Sequence, residues 1–382
     1  MSFFAALLFV FFLADVLWWA LAWRRLKSRG AVIAATAWGG AMLAGVLVII
    51  TSRYQNHGWD DALIRPVLSI TYLWHLLILP PWLAWQLVRL LGRGARKLLP
   101  AAVTDAPAVS RREFLTMSAT FAPAILTSGG ALAAEGQLEH FRVRRLNVPV
   151  SGLPAALEGL TIAQVSDLHL GRFTRGPILE RIVRAANDLD AGLVVITGDL
   201  INFALRDLPA GIDLVRGLRG RHGVFLCEGN HDLIEDGPEF RRRVLHADLP
   251  FLRGEAVTLP IAGAKLQLLG LPWTHGDAEH TRAIAALEPV RLADAFPLLL
   301  AHHPHVFDSA KGYPLTLAGH THGGQLMLNE QLGFGPAFFR YWSGLYRRGD
   351  RSLVVSNGVG NWFPIRLAAP AEILHLTLRR AS

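Results

Sequence analysis

One cysteine, Cys227, stands in 382 residues. A lone thiol excludes an intrachain disulfide and a cysteine-built metal site, and it leaves the compartment open, because exported proteins also fold without disulfides. Charge is scarce as well: Asp, Glu, Lys and Arg make up 18% of the chain against 52% hydrophobic residues, and mean hydropathy is +0.32. That balance excludes a simple soluble globule, and the length accommodates a membrane region plus one large domain. No internal repeat or low-complexity tract occurs. The shortage of acid, 30 residues against 38 basic ones, gives a net charge of +8. The basic residues Arg24, Arg25, Lys27, Arg29, Arg93, Arg96, Lys97, Arg111 and Arg112 flank apolar segments, which is the placement of topology signals and anionic-lipid contacts. No nucleic-acid partner is expected.

The long apolar runs lie in the first third. Ser2 to Trp23 is broken only by Asp15 and ends in Trp18, Trp19 and Trp23 before Arg24 and Arg25, the pattern of a spanning helix with an interfacial belt. A cleaved signal peptide carries its positive charge ahead of the apolar run, and here the charge follows. Ala31 to Ile50 predicts a second span, with Gly39, Gly40 and Gly45 permitting close helix contact. Pro66 to Leu91 predicts a third, kinked where Pro80 and Pro81 remove backbone donors. His75 lies inside it with no partner visible in the sequence, so it is read as hydrogen-bonded within the helices and left out of the site. The transmembrane region is thus residues 1–98, with helices near 3–23, 31–50 and 66–91.

Residues 99–136 form a linker, rich in Ala and Pro over Leu99 to Val109, followed by a fourth apolar stretch at 114–134 that is either another span or the start of the soluble domain. Ser110-Arg111-Arg112-Glu113-Phe114-Leu115 is similar to a twin-arginine export signal, and equally to ordinary positive-inside anchors. With the basic loops cytoplasmic, the N-terminus lies outside, and a spanning fourth stretch puts everything after Ala134 outside too. The expected location is the bacterial inner membrane, with the catalytic domain on the periplasmic or extracellular face.

From about Phe141 the pattern changes to short apolar runs separated by helical stretches. Thr161 to Val165 ends in Ser166-Asp167-Leu168-His169; Leu193 to Thr197 ends in Gly198-Asp199; Val224 to Leu226 leads into Gly229-Asn230-His231-Asp232. Pro297 to Ala301 ends in His302-His303-Pro304, and Leu315 to Ala318 ends in Gly319-His320-Thr321-His322-Gly323-Gly324. Pro177 to Asn187 and Leu208 to Leu218 carry helical periodicity. This rhythm predicts a largely parallel α/β core with ligands gathered at the carboxyl ends of strands. Any one motif has a bland explanation as a cap, a turn or an exposed imidazole. Five strand ends each offering Asp, Asn or His do not, since convergent groups of this kind repel or desolvate one another without a cation.

Asp-x-His, Gly-Asp, Gly-Asn-His-Asp, a lone His before Pro and Gly-His-x-His, in that order, resemble the calcineurin-like metallophosphoesterase superfamily. The resemblance covers about Phe141 to Arg379, and Ser166 to Gly171 and Gly319 to Gln325 look like its membrane-associated bacterial branch, as do Gly358 to Arg366 and Pro370 to Leu378, which look like that branch's closing strands. It implies a four-layer α/β/β/α sandwich over residues 137–382. It implies further that Asp167, His169 and His322 hold one metal, that Asn230, His302 and His320 hold another, and that Asp199 bridges them. His302 rather than His303 takes the ligand role because in this branch the ligand follows the strand immediately. Two divalent cations (Mn, Fe or Zn) about 3.5–4 Å apart can share a hydroxide and clamp phosphoryl oxygens. His231 is the implied proton donor to the leaving oxygen. Family members acting on protein phosphates carry an Asp three residues after the bridging Asp, paired with that His, and an Arg beside it; here stand Asn202 and Phe203. The loss of an arginine clamp tilts the expectation towards phosphodiesters or pyrophosphates, and Asn202 is expected to orient His231 through its amide.

The function this implies is a membrane-anchored phosphoesterase whose partners are the bilayer and a phosphoester, lipid-linked in the simplest case. The late aromatics Phe334, Phe338, Phe339, Tyr341, Trp342, Trp362 and Phe363 are read as core, as a surface that dips towards lipid, or as the wall of a substrate groove. Two alternatives stand beside it: a UDP-2,3-diacylglucosamine-type pyrophosphatase of lipid A metabolism, which needs a cytoplasmic active site, and a non-catalytic metal-binding scaffold, which has no need of a complete ligand set.

Overall fold

The computed structural model describes residues 3–54, 61–96, 109–324, 327, 335, 339–366 and 369–381. The chain divides into two compact units, Met1–Gly136 and Gln137–Ser382.

The first unit is helical: α1 (Phe3–Arg25), α2 (Arg29–Tyr54), α3 (Asp61–Tyr72), α4 (Leu79–Arg96) and α5 (Val109–Glu135). The segments Arg29–Ile50, Ile64–Leu91 and Thr116–Glu135 are long and apolar enough to cross a bilayer, and α1, at 23 residues, reaches about 34 Å. Pro80 and Pro81 cannot donate to the carbonyls one turn before them, and between α3 and α4 the helix widens to a π-turn over Leu73–Ile78. That turn carries Trp74 and His75. Trp74 Nε1 donates to Asp15 Oδ1 at 2.7 Å, His75 Nε2 meets Asp15 Oδ2 at 2.8 Å, and His75 Nδ1 donates to the Thr71 carbonyl at 2.8 Å. The break in the first apolar run is therefore the partner that His75 lacked in the sequence. Because the carbonyl only accepts, the ring proton sits on Nδ1 and Nε2 faces the carboxylate. In α5, Thr120, Thr127 and Ser128 each donate back to the carbonyl four residues earlier, and the Ala119 carbonyl, which Pro123 cannot reach with an N–H, accepts from Trp82 Nε1 at 3.4 Å. Residues 97–108, which include all but the last residue of the Ala- and Pro-rich stretch Leu99 to Val109, lie outside the described residues, as do the side chains of Arg111 and Arg112.

The second unit is built on two sheets. One has the order β1-β11-β2-β3-β4, from Phe141–Val150, Ala371–Arg380, Thr161–Val165, Leu193–Thr197 and Val224–Cys227. The other has the order β5-β6-β7-β8-β10-β9, from Ala256–Ile261, Ala264–Gly270, Phe296–Leu300, Leu315–Ala318, Arg351–Val355 and Gly344–Arg348. Strand periodicity sorts the core into layers. Ile162, Leu193, Val195 and Leu376 face Leu266, Leu298, Leu315 and Val354 between the sheets. Ala163, Val194 and Ile196 turn outwards to α6 (Pro177–Asn187), α7 (Leu208–Gly217) and α8 (Gly237–His246). Leu269 and Leu299 turn to α9 (Asp277–Leu287) on the far side. This is the α/β/β/α sandwich. The pairings β2-β3-β4 and β6-β7-β8 are parallel, so each half delivers several strand ends to one edge. Of the two late segments read as closing strands, Pro370 to Leu378 enters β11 from Ala371 on, whereas Gly358 to Arg366 forms no strand and is an irregular loop. Phe334 and Phe338 lie outside the described residues; Tyr341 and Trp342 are buried, and Trp362 is 40% exposed.

Candidate metal centre

The turns that leave these strands are bent against their residues' preferences. Asp167 (φ 52°), His169 (44°), Asp199 (53°), His320 (76°) and His322 (51°) all sit in the left-handed region. Each such residue costs on the order of 1–3 kcal/mol unless its surroundings impose it, and such outliers collect at functional sites. The turns also approach closely. A Cβ on Gly319 would lie 2.1 Å from Ser166 Oγ and 2.3 Å from Asp167 Oδ2, and one on Gly229 would lie 2.1 Å from Asp199 Oδ1. Only glycine fits at either place.

The result is a knot of donor atoms. His169 Nε2 lies 2.9 Å from His322 Nε2, 3.4 Å from Asp199 Oδ2 and 3.9 Å from Asp167 Oδ1. His322 Nε2 lies 3.3 Å from Asp167 Oδ1, and His302 Nε2 lies 3.1 Å from Asp199 Oδ2. Neighbouring ligands of a cation held at about 2.1 Å are separated by about 3 Å, which is the spacing seen. Asp167, His169 and His322 form one such group, and Asp199, His302 and His320 another; Asp199 also groups with His169 and His231. Buried atoms left over support the fit: Asn230 Oδ1 has no hydrogen-bond partner, and His302 Nε2 has no well-directed one. Donor atoms of N and O type, gathered without protons to go round, fit divalent cations.

The electrostatics point the same way. Burial pushes the Asp167 carboxyl up, but the charge and hydrogen bond of His322, then His302 and Ser166, outweigh it and hold the group below the usual range. Burial pushes His169 and His320 well down, reinforced by the neighbouring imidazoles. His302 goes the other way: burial opposes it, yet Asp199 prevails and lifts it to about 9, so the carboxylate recruits a proton where a cation fits. Asp232, pushed up to about 8 by burial and by Asp199, accepts the Gly229 and Ile201 N–H groups at 2.9 and 3.0 Å and ties two of the turns together.

His231 sits half-buried at the rim. Its backbone N–H donates to Asp199 Oδ1 at 2.8 Å, and its ring lies edge-on to His169 with centroids 4.5 Å apart. Its Nδ1 donates to Asn202 at 2.5 Å, but to the main-chain carbonyl. The expectation that the Asn202 amide orients this histidine is therefore corrected: the backbone does it, and the side-chain identity at 202 is not what sets the contact. His303 does not join the donor knot; it lies among His280, His305 and Trp273, with ring centroids 4.9, 4.9 and 5.5 Å away.

Two residues, Trp273 and Arg366, were not singled out from the sequence, and Trp362 was read there only as one of several late aromatics. Trp273 lies 5.1 Å from the His320 ring and 5.5 Å from that of His302, while Trp362 lies 5.9 Å from His231 and 6.5 Å from His322. Arg366, fully buried, donates to His322 Nδ1 at 2.9 Å. Nothing in periodicity or spacing marks an arginine 44 residues downstream of its target.

The model of the calcineurin-like phosphoesterase family matches residues 160–335. The chain is 30% identical over 288 residues to the uncharacterized metallophosphoesterase YkuE of Bacillus subtilis, covering 71% of this chain and 98% of that protein. It is 30% identical over 261 residues to a transmembrane protein with metallophosphoesterase domain of Danio rerio, covering 63% of this chain and 58% of that protein. An uncharacterized metallophosphoesterase of Aquifex aeolicus is 28% identical over 261 residues, 65% of this chain and 96% of that one.

Proposed function

The chain belongs to the calcineurin-like metallophosphoesterase family and is a phosphoric ester hydrolase, and we propose that it is a membrane-anchored enzyme that uses two divalent cations to cleave a phosphodiester or pyrophosphate bond near a bilayer. The observation that carries this reading is the adjacency of the Asp167/His169/His322 and Asp199/His302/His320 donor groups, with Asp199 Oδ2 3.4 Å from His169 Nε2 and 3.1 Å from His302 Nε2. Asp167, His169 and His322 would hold one cation, His302, His320 and Asn230 the other, and Asp199 both. Two cations so held supply Lewis-acid charge to the phosphoryl oxygens and an activated water.

The chain's own residues do the rest. The glycine turns let the ligands close in without side chains intervening, and the strained Asp and His positions keep the donor atoms fixed before any substrate arrives. His231 is held by its Nδ1–H on the Asn202 carbonyl, which leaves Nε2 to carry a proton to the departing oxygen. Phe203 places no charge beside that group. Trp273 and Trp362 lie beside different ligands of the centre, which suits a phosphorus bearing two organic arms better than a dianionic monoester with one. The helices of the first unit keep the enzyme on the bilayer, and the basic loops favour an inner-membrane protein with its site outside the cytoplasm.

The test is turnover of bis-p-nitrophenyl phosphate against p-nitrophenyl phosphate by the full-length protein in detergent with added Mn²⁺. Faster diester cleavage is expected; faster monoester cleavage overturns the diester reading.

A further inference from the structure

Asp167, His169, Asp199, His302 and His322 are buried, whereas Asn230, His231 and His320 are half-buried. Substrate therefore reaches the centre from the side that these last three share. Each of the two half-buried histidines has an indole beside it. The Trp362 ring, 40% exposed, lies 5.9 Å from that of His231 and 6.5 Å from that of His322. The half-buried Trp273 ring lies 5.1 Å from that of His320 and 5.5 Å from that of His302.

Trp273 is pinned from behind. Glu228, fully buried, accepts its backbone N–H at 3.0 Å, holds Arg241 through both carboxylate oxygens at 2.8 and 3.0 Å, and accepts from Arg253 at 3.2 Å. Glu228 directly precedes Gly229 and Asn230. The main chain of this indole is thus tied to a ligand-bearing turn before any substrate arrives.

The proton decides which arm of a diester leaves on which side. Hydrolysis bonds a water oxygen to phosphorus, breaks the P–O bond to one arm and gives that arm's oxygen a proton; the water releases one proton in exchange, so the balance is kept. His231 is the donor in the reading above, with its Nδ1–H spent on the Asn202 carbonyl at 2.5 Å and Nε2 left for the substrate. The departing oxygen has to come within about 2.6–3.2 Å of that nitrogen, so the group it carries meets Trp362. Phosphorus is tetrahedral, and the ester arm that stays points elsewhere. The indole left to receive it is Trp273.

We propose that Trp273 is a specificity-determining residue that binds the retained arm of the diester, the one still attached to phosphate in the product, while Trp362 faces the arm that departs. An indole face selects a flat arm, aryl or nucleobase, over a short alkyl one. The assignment rests on the diester reading and on His231 as its proton donor.

The experiment compares two substrates that lose the same p-nitrophenol. In bis-p-nitrophenyl phosphate the retained arm is aryl; in methyl p-nitrophenyl phosphate it is methyl. Full-length protein in detergent with Mn²⁺ is assayed for kcat and KM on both. Wild type is expected to show the lower KM for the aryl substrate, and Trp273→Ala to raise that KM about tenfold, the scale of one lost aromatic stack, with kcat and the methyl KM held within about threefold. Trp273→Phe keeps the aryl preference. Trp362→Ala slows both substrates by the same factor, because both lose the same group. Binding is read separately by titration calorimetry with phenylphosphonate and methylphosphonate, which carry the arm on carbon and are not cleaved: wild type and Trp362→Ala prefer the phenyl compound, and Trp273→Ala does not. An indole that merely supports His302 and His320 predicts equal losses on both substrates together with loss of bound metal, and that result overturns the proposal. An aryl preference that is absent from wild type, or that follows Trp362, overturns it too. Should Trp273→Ala fail to fold, Trp273→Leu keeps the apolar bulk and is read in the same way. Faster monoester than diester turnover by wild type removes the diester reading itself, a result distinct from diester cleavage whose arm preference is indifferent to residue 273.

Discussion

A methyl group added at Gly229 tests whether the close approach of the turns is what assembles the site. It would lie 2.1 Å from Asp199 Oδ1, 2.4 Å from the Asp199 nitrogen and 2.8 Å from its Cγ. Ordinary contact begins at 3.4 Å, so 3.4 − 2.1 leaves 1.3 Å to be found by moving the turn or the carboxylate. Forced packing of this kind costs about 1–3 kcal/mol. If the carboxylate is what moves, the 2.8 Å hydrogen bond from the His231 N–H goes with it, a further ~1.5–3 kcal/mol for a charged acceptor. A misplacement of about 1 Å at a reacting centre lowers a rate by about a hundredfold. Gly229→Ala is therefore expected to keep the fold, lose bound metal and lose about two orders of magnitude in diester turnover. The assays are metal content per chain by mass spectrometry after gel filtration, turnover, and a circular-dichroism melt. Gly217→Ala is the control, since its methyl would meet only the Val183 side chain, Cγ1 at 3.2 Å and Cγ2 at 3.7 Å. Metal content and turnover of Gly229→Ala within threefold of wild type would refute the reasoning.

Asn202→Ala is expected to retain activity within about threefold, because the contact to His231 runs through the backbone, while His231→Ala falls by about 10²–10⁴; a collapse of Asn202→Ala in the same turnover assay would restore the side chain to the mechanism. His303, held down to about 3 by burial and then by the charges of His280, His305 and His302, stays neutral in the native state while the unfolded chain protonates it near 6.5. Stability is complete above that value and falls as pH drops towards 3, by about 2 kcal/mol at pH 5; His303→Asn should lose less of its thermal midpoint between pH 7 and 5, and an equal loss contradicts this. In the helical unit, Asp15→Ala strands Trp74 Nε1 and His75 Nε2, each hydrogen bond being worth ~0.6–2 kcal/mol, so its melting temperature in detergent should fall clearly and that of Asp15→Asn less; an unchanged Asp15→Ala midpoint argues against a role for the pair.

How much was legible follows from how local each cause is. Strand ends such as Leu193 to Thr197 followed by Gly198-Asp199 announce themselves, because the apolar run, the glycine and the ligand are contiguous. The same contiguity made Asp167, His169, Asn230 and the His320/His322 pair readable as candidates. Partnerships across long sequence separations were not readable. Asp15 and His75 are 60 residues apart, and each alone looks like an interruption of an apolar helix. Arg366 and His322 are 44 apart and meet only because an irregular loop folds under the site. The Asn202 misreading had another source: sequence shows side chains, and the group that holds His231 is a carbonyl, which every residue has. The edge strands β5 and β9 were missed because they are half-exposed, and the mostly buried β6 and β10 beside them because no ligand marks their ends.

The most direct check is the number of divalent cations per chain in the full-length protein, wild type against Asp199→Asn. Two per wild-type chain, with Asp199→Asn losing metal from both donor groups and diester turnover with it, is what a centre joined at Asp199 predicts. A wild-type chain that binds none, or an Asp199→Asn variant that keeps both cations and its turnover, means that the strained turns at these strand ends were assembled for something else.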